Sequence, residues 1–435
     1  MKIGFAKTLY LKKYNQTPWE KNRSKNSSWS FFDELLEQKK CSFLDYILTL
    51  HLLKKYPFAP IEAVILICHI VMATREGHLC IKIENNKVFP DTKLIWQKDN
   101  AFLLDSEIQK LNNLIIKGFT SIPVGLISEI DKLTSSGFNT PLCRNQNTLY
   151  LQRYWIYETV FLENFYKHIN SIPLIKIDME SINQSIESLC SRGFILEEQA
   201  QAIRKACLFG LSIITGGPGT GKTYTASEII KIIWENLNQE QKLNFEIVAT
   251  APTGKAVANM QKNLSRIIST LDGNPKLSAK TLHSILEIKS NFPTIKNERF
   301  RLTADLVIVD ESSMIDIKLM SQLFEALKEG SRIILLGDQH QLASVEAGSV
   351  FADLINMAYK YPETAIALTH LKVCLRTELK SITDFATIVN QGKAEQALKI
   401  LEDNLYSDIS YNAFDLNHKQ SYPEFLKKII SHFNS

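Results

Sequence analysis

"IITGGPGTGKTYTA", residues 213–226, decides the fold class of this 435-residue chain. Within it, GGPGTGKT at 216–223 fits the pattern G-x-x-x-x-G-K-S/T, with a strand-like run before it and a helical pattern after it. Glycines in such a loop let backbone N–H groups approach a phosphate at a helix N-terminus. Lys222 is expected to reach the β- and γ-phosphates and Thr223 to ligate Mg²⁺, so the stretch predicts an α/β P-loop NTPase rather than a glycine-rich turn. The residues expected to bind the nucleotide are Gly216, Gly217, Pro218, Gly219, Thr220, Gly221, Lys222, Thr223 and Tyr224.

The pattern around this loop predicts a parallel sheet. From about residue 191, short apolar runs alternate with helical segments, and the runs are LSIIT, EIVATA, DLVIVDE and RIILLGD. Apolar strands that are each followed by a helix indicate a parallel sheet covered on both faces. Ligands of such sheets bind at the carboxyl ends of the strands, where the polar motifs of this chain fall.

Two of the strand ends carry candidate catalytic groups. Asp310 and Glu311 end DLVIVDE, where Asp310 is expected to hold Mg²⁺ through water and Glu311 to activate the attacking water. The alternative is an exposed acidic helix cap. Gln341, in GDQHQL, is a candidate sensor of the γ-phosphate, and a surface loop residue is the alternative.

Further polar residues are candidates for recognising the base or a polynucleotide. Gln199, upstream of the loop, could present its amide to adenine, or it could lie on a solvated helix face. The candidates for contacts to the phosphates and sugars of a nucleic-acid strand are Pro252, Thr253, Lys255, Thr281 and His283. His283 could instead be a histidine of the core.

Composition limits the other possibilities. The net charge of +4 is too small to argue nucleic-acid binding. The seven cysteines contain no CxxC pair, which favours reduced thiols in a cytoplasmic protein over a zinc site or disulfides. The apolar segment 63–73 is too short to span a membrane and predicts a buried helix. Residues 1–28 are basic and polar, which favours a disordered extension over a sorting signal.

The motifs, taken in order, resemble those of superfamily 1 helicases. They are EEQ, GGPGTGKT, APTGKA, TLH, VIVDESSMID and LLGDQHQLASVEAGSVFADL. The last resembles the RecD family, the alpha subunits of exodeoxyribonuclease V in RecBCD complexes. DELLEQKKCSFLDYILT, EGHLCI and TPLCRNQNTLYLQRYW resemble the N-terminal domain of that family, so the resemblance covers about residues 29–400.

The resemblance implies an ATP-dependent and Mg²⁺-dependent 5′-to-3′ DNA helicase or translocase acting in double-strand break repair and recombination. It implies RecB-like and RecC-like partners in a heterotrimer, with single-stranded or duplex-end DNA as substrate and no membrane. It assigns Gln199 to adenine, Gln341 to γ-phosphate coupling, and the PTGK and TLH segments to DNA. Arg376, in LKVCLRTE, matches an arginine that stabilises the charge of phosphoryl transfer.

One departure from the family pattern affects the predicted domains. Two further motifs of a second RecA-like domain do not follow Arg376. The expected organisation is an extension at 1–28, a mostly helical partner-docking domain at 29–190, a RecA-like domain at 191–355 and the start of a truncated second one at 356–435. Because a stepping motor needs two lobes, a non-catalytic assembly or regulatory subunit of the same complex is the alternative. A signalling or transport ATPase is a third interpretation, against which TLH and GDQHQL argue.

Overall fold

The fold is described by a computed structural model. It describes residues 29–97, 103–131, 135, 137–273, 275–287, 301–341, 346–361, 366–375, 380–403, 405–406, 409 and 426–427. The chain divides into two compact units, one formed by 1–216 with 222–370 and the other by 217–221 with 371–435. The extension expected at 1–28 and the candidate Arg376 lie outside the described residues.

The N-terminal part is mostly helical, as predicted. Its helices are α1 Ser30–Glu37, α2 Phe43–Leu52, α3 Ile61–Arg75, α4 Thr92–Trp96, α5 Asp105–Ser121, α6 Gln152–Asn170 and α7 Met179–Ser191. Helix α3 contains the apolar run 63–73 and is buried from Ala63 to Thr74, which confirms the predicted buried helix. The Asp45 carboxylate caps the start of α2 and accepts two hydrogen bonds of 3.0 Å from Arg75, so it ties α2 to the end of α3.

A small sheet, which the sequence patterns did not predict, completes this part. Its strands are β1 Cys80–Glu84, β2 Lys87–Phe89, β3 Ile127–Glu129, β4 Leu142–Asn145 and β5 Thr148–Leu151. Among the described residues their order is β2-β1-β5-β4-β3, and only the β3–β4 pair is parallel.

The second sheet has the predicted parallel form. Its strands are β6 Leu211–Gly216, β7 Glu246–Ala251, β8 Lys276–Thr281, β9 Leu306–Val309, β10 Arg332–Gly337 and β11 Ile366–Leu371. In the described part of the chain their order is β11-β6-β10-β9-β7-β8. The pairs from β6 through to β8 are parallel. Every residue of β6, β9 and β10 is buried, as the apolar runs indicated.

Helices cover both faces of this sheet, so the α/β P-loop fold is confirmed. They are α8 Glu197–Leu208, α9 Lys222–Glu235, α10 Gln239–Asn244, α11 Gly254–Ile268, α12 Leu282–Ile285, α13 Ile317–Ala326 and α14 Val350–Lys360. Two further helices, α15 Lys380–Asn390 and α16 Ala394–Glu402, belong to the second compact unit. Helix α6 also packs here, because the rings of Phe161 in α6 and Phe324 in α13 meet edge to face at 5.2 Å. The mostly helical N-terminal part and the parallel sheet therefore share one core cluster.

Candidate active site

The register of the central strands brings three strand ends together. Gly337 of β10 pairs with Thr215 of β6, and Leu335 pairs with Val309 of β9. β10 therefore lies between the strand that leads into the phosphate loop and the strand that leads into Asp310. Because all three strands are parallel, their following residues emerge at the same edge of the sheet.

The loop that follows β6 has the conformation that its glycines permit. Gly219 and Gly221 have φ values of +77° and +85°, which a residue with a side chain adopts only at a cost. The Thr220 hydroxyl closes the loop by donating to the Gly217 carbonyl at 2.9 Å. Lys222 begins α9, and its Nζ donates to the Gly216 carbonyl at 2.7 Å. The lysine therefore lies at a helix N-terminus, where anions are favoured.

Asp310 joins this helix to the end of β9. Its carboxylate accepts hydrogen bonds from the Thr223 hydroxyl and, at 2.9 Å, from the Glu311 backbone N–H. Burial raises the pKa of Asp310, while these donors and the Lys222 charge act in the opposite direction. Thr223 and Asp310, the two predicted magnesium ligands, are therefore in direct contact.

Glu311 is held in an unusual backbone conformation. Its φ of +52° and ψ of +40° lie in the left-handed region, which a residue with a side chain occupies at a cost and which is enriched at active sites. The 3₁₀ turn Ser312–Met314 follows, and the Ser312 hydroxyl donates to the Val309 carbonyl at 3.0 Å. Burial, followed by the negative charges of Asp310 and Asp338, raises the pKa of Glu311. A carboxylate with a raised pKa is suited to accept a proton from water.

The third strand end is organised by Asp338, which the sequence analysis did not single out. Asp338 is 4% exposed, and its carboxylate accepts a 2.9 Å hydrogen bond from the His340 N–H. Its carbonyl accepts from the Gln341 N–H at 3.2 Å, so a tight turn carries Gln341, whose side chain is exposed. Asp338 could have been found from its position directly after β10, because Asp310 holds the same position after β9.

This edge fits a P-loop magnesium ion better than a metal site built from protein ligands alone. No cluster of three or more His, Cys, Asp or Glu suited to a metal occurs in the described ranges. P-loop magnesium is held by one hydroxyl and one carboxylate together with phosphate oxygens and water. Thr223 and Asp310 supply that pair. The nearby carboxylate of Glu311 adds negative charge that a divalent cation would offset.

Gln199 is not on a solvated helix face. It is 1% exposed, and its Oε1 accepts a hydrogen bond of 2.9 Å from the Leu196 N–H at the start of α8. Its Nε2 is buried and has no hydrogen-bond partner among the described residues. A buried N–H without an acceptor is costly, and a ligand acceptor at this point would remove the cost. The adenine interpretation of Gln199 stays a prediction.

The candidate polynucleotide contacts follow two neighbouring strands. Ala251, the last residue of β7, pairs with Thr281 of β8, so the segments that begin at Pro252 and at Leu282 emerge side by side. Thr253 and Thr281 cap helices α11 and α12 with their hydroxyls. The candidates with exposed side chains are Thr253, Lys255 and His283, and the exposure of His283 contradicts its interpretation as a core residue.

In the second compact unit, the segment before Arg376 lies along the phosphate loop. The Leu375 N–H donates to the Gly219 carbonyl at 2.8 Å, and the Cys374 Sγ lies 3.4 Å from the Pro218 carbonyl. Both contacts use carbonyl groups of the loop. The role of Arg376 itself remains a prediction.

The comparisons with known proteins agree with the motifs. A family model described as an AAA domain matches residues 195–406. The RecBCD enzyme subunit RecD of Mycolicibacterium smegmatis is 34% identical over 58% of this chain and 44% of the relative. The corresponding subunit of Haemophilus influenzae is 30% identical over 63% and 48%. The resemblance to RecD is confirmed, and the chain spans about half the length of these relatives.

Solved structures include more distant likenesses. A Pif1 helicase from Bacteroides in complex with ADP-AlF3 and ssDNA is 15% identical, with 57% of this chain and 56% of that chain covered and a TM-score of 0.30. Within the described residues, no helix is both long enough and apolar enough to cross a membrane.

Proposed function

We propose that this chain is the ATP-dependent 5′-to-3′ helicase or translocase subunit of a RecBCD-type exodeoxyribonuclease V, acting in double-strand break repair and recombination. The observation that supports it most is the convergence of Lys222, Thr223, Asp310 and Glu311 at one edge of the parallel sheet. The proposed complex is taken from the names of the RecD relatives. The proposed DNA substrate and the 5′-to-3′ direction of movement are taken from the resemblance of the motifs.

In this proposal each residue of the edge has one task. Mg²⁺-ATP supplies the phosphoanhydride whose γ-phosphoryl group passes to water. Lys222 and the N–H groups of the loop offset negative charge on the phosphates, while Thr223 and Asp310 hold the ion. Glu311 accepts the proton of the attacking water, and Gln341 responds to the loss of the γ-phosphate. The positive charge of Arg376 offsets negative charge on the phosphoryl group during its transfer.

The proposed partners follow from the division of the chain. The helical part at 29–190 would dock a RecC-like subunit, the domain at 191–355 would bind ATP, and 356–435 would begin a second RecA-like domain. A RecB-like subunit would complete the heterotrimer in the cytoplasm. DNA would contact Pro252, Thr253, Lys255, Thr281 and His283, next to the nucleotide edge.

The decisive experiment reconstitutes the chain with RecB-like and RecC-like subunits and measures ATP hydrolysis with and without single-stranded DNA. We expect stimulation by DNA, and loss of that stimulation in Lys222→Ala. Lys231→Ala, a change of the same type further along α9, should retain it. To isolate the contribution of this chain, the wild type is compared with Lys222→Ala in otherwise identical complexes. Equal rates in both would support the non-catalytic assembly or regulatory subunit instead.

A further inference from the structure

The N-terminal part touches the segment that follows β10. Gly77, between α3 and β1, accepts a hydrogen bond of 3.0 Å from the Gly348 N–H through its carbonyl. Gly348 has a φ of +99°, and a Cβ at this position would lie 2.9 Å from Leu79 Cδ2 and 2.9 Å from Ile317 Cβ. Gly348 is therefore enclosed between a side chain of the N-terminal part and the first residue of α13. We name Gly77, Leu79, Ile317 and Gly348 the brace.

One side of the brace leads to the end of β9. The Ile317 N–H points at the Ala347 carbonyl, 3.5 Å away, so the residue before Gly348 and the start of α13 are held together. Helix α13 follows directly on the turn that begins at Glu311, and Asp316 caps it by accepting from the Leu319 N–H at 2.8 Å. A shift of Ile317 would therefore be passed to the turn that holds Glu311.

The other side leads to the end of β10. Gly348 is followed by α14, whose Phe351 is 1% exposed. A Cβ on Gly337 would lie 2.7 Å from the Phe351 ring, so this ring packs directly on the last residue of β10. Asp338 comes next in the chain. Since packed interiors transmit displacements rather than absorb them, the position of α14 bears on the turn of Asp338 and Gln341.

A side-chain hydrogen bond near the brace joins the small N-terminal sheet to α6. Cys80, next to Leu79, pairs with Tyr150 of β5, and the Tyr150 hydroxyl is hydrogen-bonded to the carboxyl group of Glu158 in α6. Burial, and then the negative charge of Asp353 in α14, raises the pKa of Glu158. The small N-terminal sheet is therefore joined to α6 by a side-chain hydrogen bond, and Glu158 of α6 responds to a charge on α14.

We propose that the brace is a positioning element for ATP hydrolysis. It fixes the strand ends that carry Glu311 and Gln341, so the N-terminal part sets the rate of hydrolysis without taking part in nucleotide binding. The groups expected to bind the nucleotide, which are the loop, Lys222 and Gln199, are not members of the brace. The effect on the rate rests on the function proposed above, whereas the effect on the two strand ends can be measured without any hydrolysis.

The first test uses Leu79→Ala in the full chain, within the reconstituted complex. We expect kcat for the Lys222-dependent hydrolysis to fall about tenfold, or about 1.4 kcal/mol, while the Kd for Mg²⁺-ATP changes less than about twofold. Leu79→Met should restore most of kcat because it preserves side-chain volume. Leu111→Ala is the matched control, since Leu111 is buried in the N-terminal core in α5 and is not part of the brace.

The second test reads the strand ends directly by amide hydrogen exchange of the isolated chain. We expect faster exchange at residues 311–317 and 338–341 in Leu79→Ala than in the wild type or in Leu111→Ala. Equal exchange in Leu79→Ala and Leu111→Ala overturns the proposal. In the first test, it is overturned if kcat falls equally in these two variants. It is also overturned if the Kd for Mg²⁺-ATP rises in Leu79→Ala by as large a factor as kcat falls. If the exchange difference is found but no Lys222-dependent hydrolysis occurs, the positioning contact stands and the proposed motor function fails.

Discussion

The backbone of Glu311 shows how one residue is prepared for its expected task. A left-handed conformation costs about 1–3 kcal/mol at a residue with a side chain. Here the strained residue is Glu311, whose carboxylate interacts electrostatically with Asp310 and Lys222. The conformation turns the chain sharply after β9, with the Ser312 hydroxyl bonded back to Val309. Glu311 is therefore fixed at the edge of the sheet rather than carried outward on a regular helix cap.

Replacing Glu311 tests its role as general base. Glu311→Gln keeps the size and the backbone of the residue but removes the proton acceptor. We expect kcat of the Lys222-dependent ATPase to fall by about 10²–10⁴-fold with Mg²⁺-ATP binding retained, which single-turnover hydrolysis and a binding titration would measure. Glu329→Gln, at an exposed position, is the control and should leave kcat unchanged. A loss smaller than about threefold in Glu311→Gln would assign the base to another group.

A substitution at Gln199 tests whether a single donor atom, Nε2, recognises adenine. Gln199→Glu keeps the oxygen that accepts from Leu196 but replaces the buried Nε2 donor. If that donor recognises adenine, the preference for ATP over GTP should fall by about 2–10-fold in competition binding, since one hydrogen bond contributes about 0.5–1.5 kcal/mol. Gln201→Glu, exposed on the same helix, controls for the added charge. An unchanged preference would contradict the adenine role.

The sequence indicated some of these residues and not others. Lys222, Thr223 and Asp310 were found because each lies in a short local pattern directly after an apolar strand. The burial of Asp338 and the enclosed position of Gly348 depend on contacts between distant segments, such as Leu79 with Gly348. No pattern within a few residues of Gly348 carries that information, and the only local signal for Asp338 is that it directly follows β10.

Among the elements, the strands were predicted unequally for a physical reason. β6, β9 and β10 are central and fully buried, so they are continuous apolar runs. β8 lies at one edge of the described sheet, and its residues alternate between exposed and partly buried. Its sequence, KLSAKT, has the polar composition of a loop, so it does not form an apolar run that would predict a strand. At the start of α5, the Glu107 carboxylate accepts a hydrogen bond from the Leu104 N–H, so a residue of the first turn caps the helix.

The crossing of α3 and α5 predicts a substitution whose effect opposes helix propensity. Gly118 lies inside α5, and an added Cβ would press on the Glu62 carbonyl and lie 2.8 Å from Leu66 Cβ in α3. Propensity alone would favour Gly118→Ala by about 1 kcal/mol. We expect a net loss of about 1–3 kcal/mol from overpacking, measured by urea unfolding. Gly254→Ala, where the Cβ meets no atom within 4 Å, is the control and should not destabilise.

The contact between α1 and α2 predicts a pH dependence. Asp33 accepts a hydrogen bond of 2.7 Å from the Tyr46 hydroxyl, and burial together with Glu37 raises its pKa from 3.8 to about 6. The folded state therefore binds this proton more tightly than the unfolded state. Its contribution is fully present below about pH 4 and is lost as pH rises through about 6.

Asp33→Asn should remove that dependence. We expect the variant to have a higher urea midpoint than the wild type at pH 7.5 and to lose the advantage towards pH 4. The midpoint would be followed by tryptophan fluorescence, to which the buried Trp29 contributes. Glu34→Gln, exposed on the same helix, should parallel the wild type at every pH. Parallel curves for the wild type and Asp33→Asn would contradict the raised pKa.

For the whole molecule, the distribution of charge is more informative than its total. The chain has a net charge of only +4, which argues little about partners. Residues 252–286, however, contain five Lys or Arg and one acidic residue. Within that segment Lys255, Lys262 and Arg266 are exposed on α11, at spacings of seven and four residues that place them on one side of the helix. Positive charge is thus concentrated next to the proposed DNA contacts.

Salt dependence tests whether this local charge binds DNA. Each phosphate contact made by a cationic side chain contributes about 0.7 to the slope of log K against log salt for single strands. We therefore expect Lys255→Ala to lower the magnitude of that slope by about 0.7, and Lys255→Ala with Lys262→Ala to lower it by up to about 1.4, as measured by fluorescence anisotropy with a labelled oligonucleotide. Lys117→Ala, exposed in α5, removes the same charge at a distant site and should leave the slope unchanged. Equal slopes in all variants would mean that DNA does not follow the edge formed by β7 and β8, because a cation that contacts phosphate cannot be removed without changing the number of released counterions.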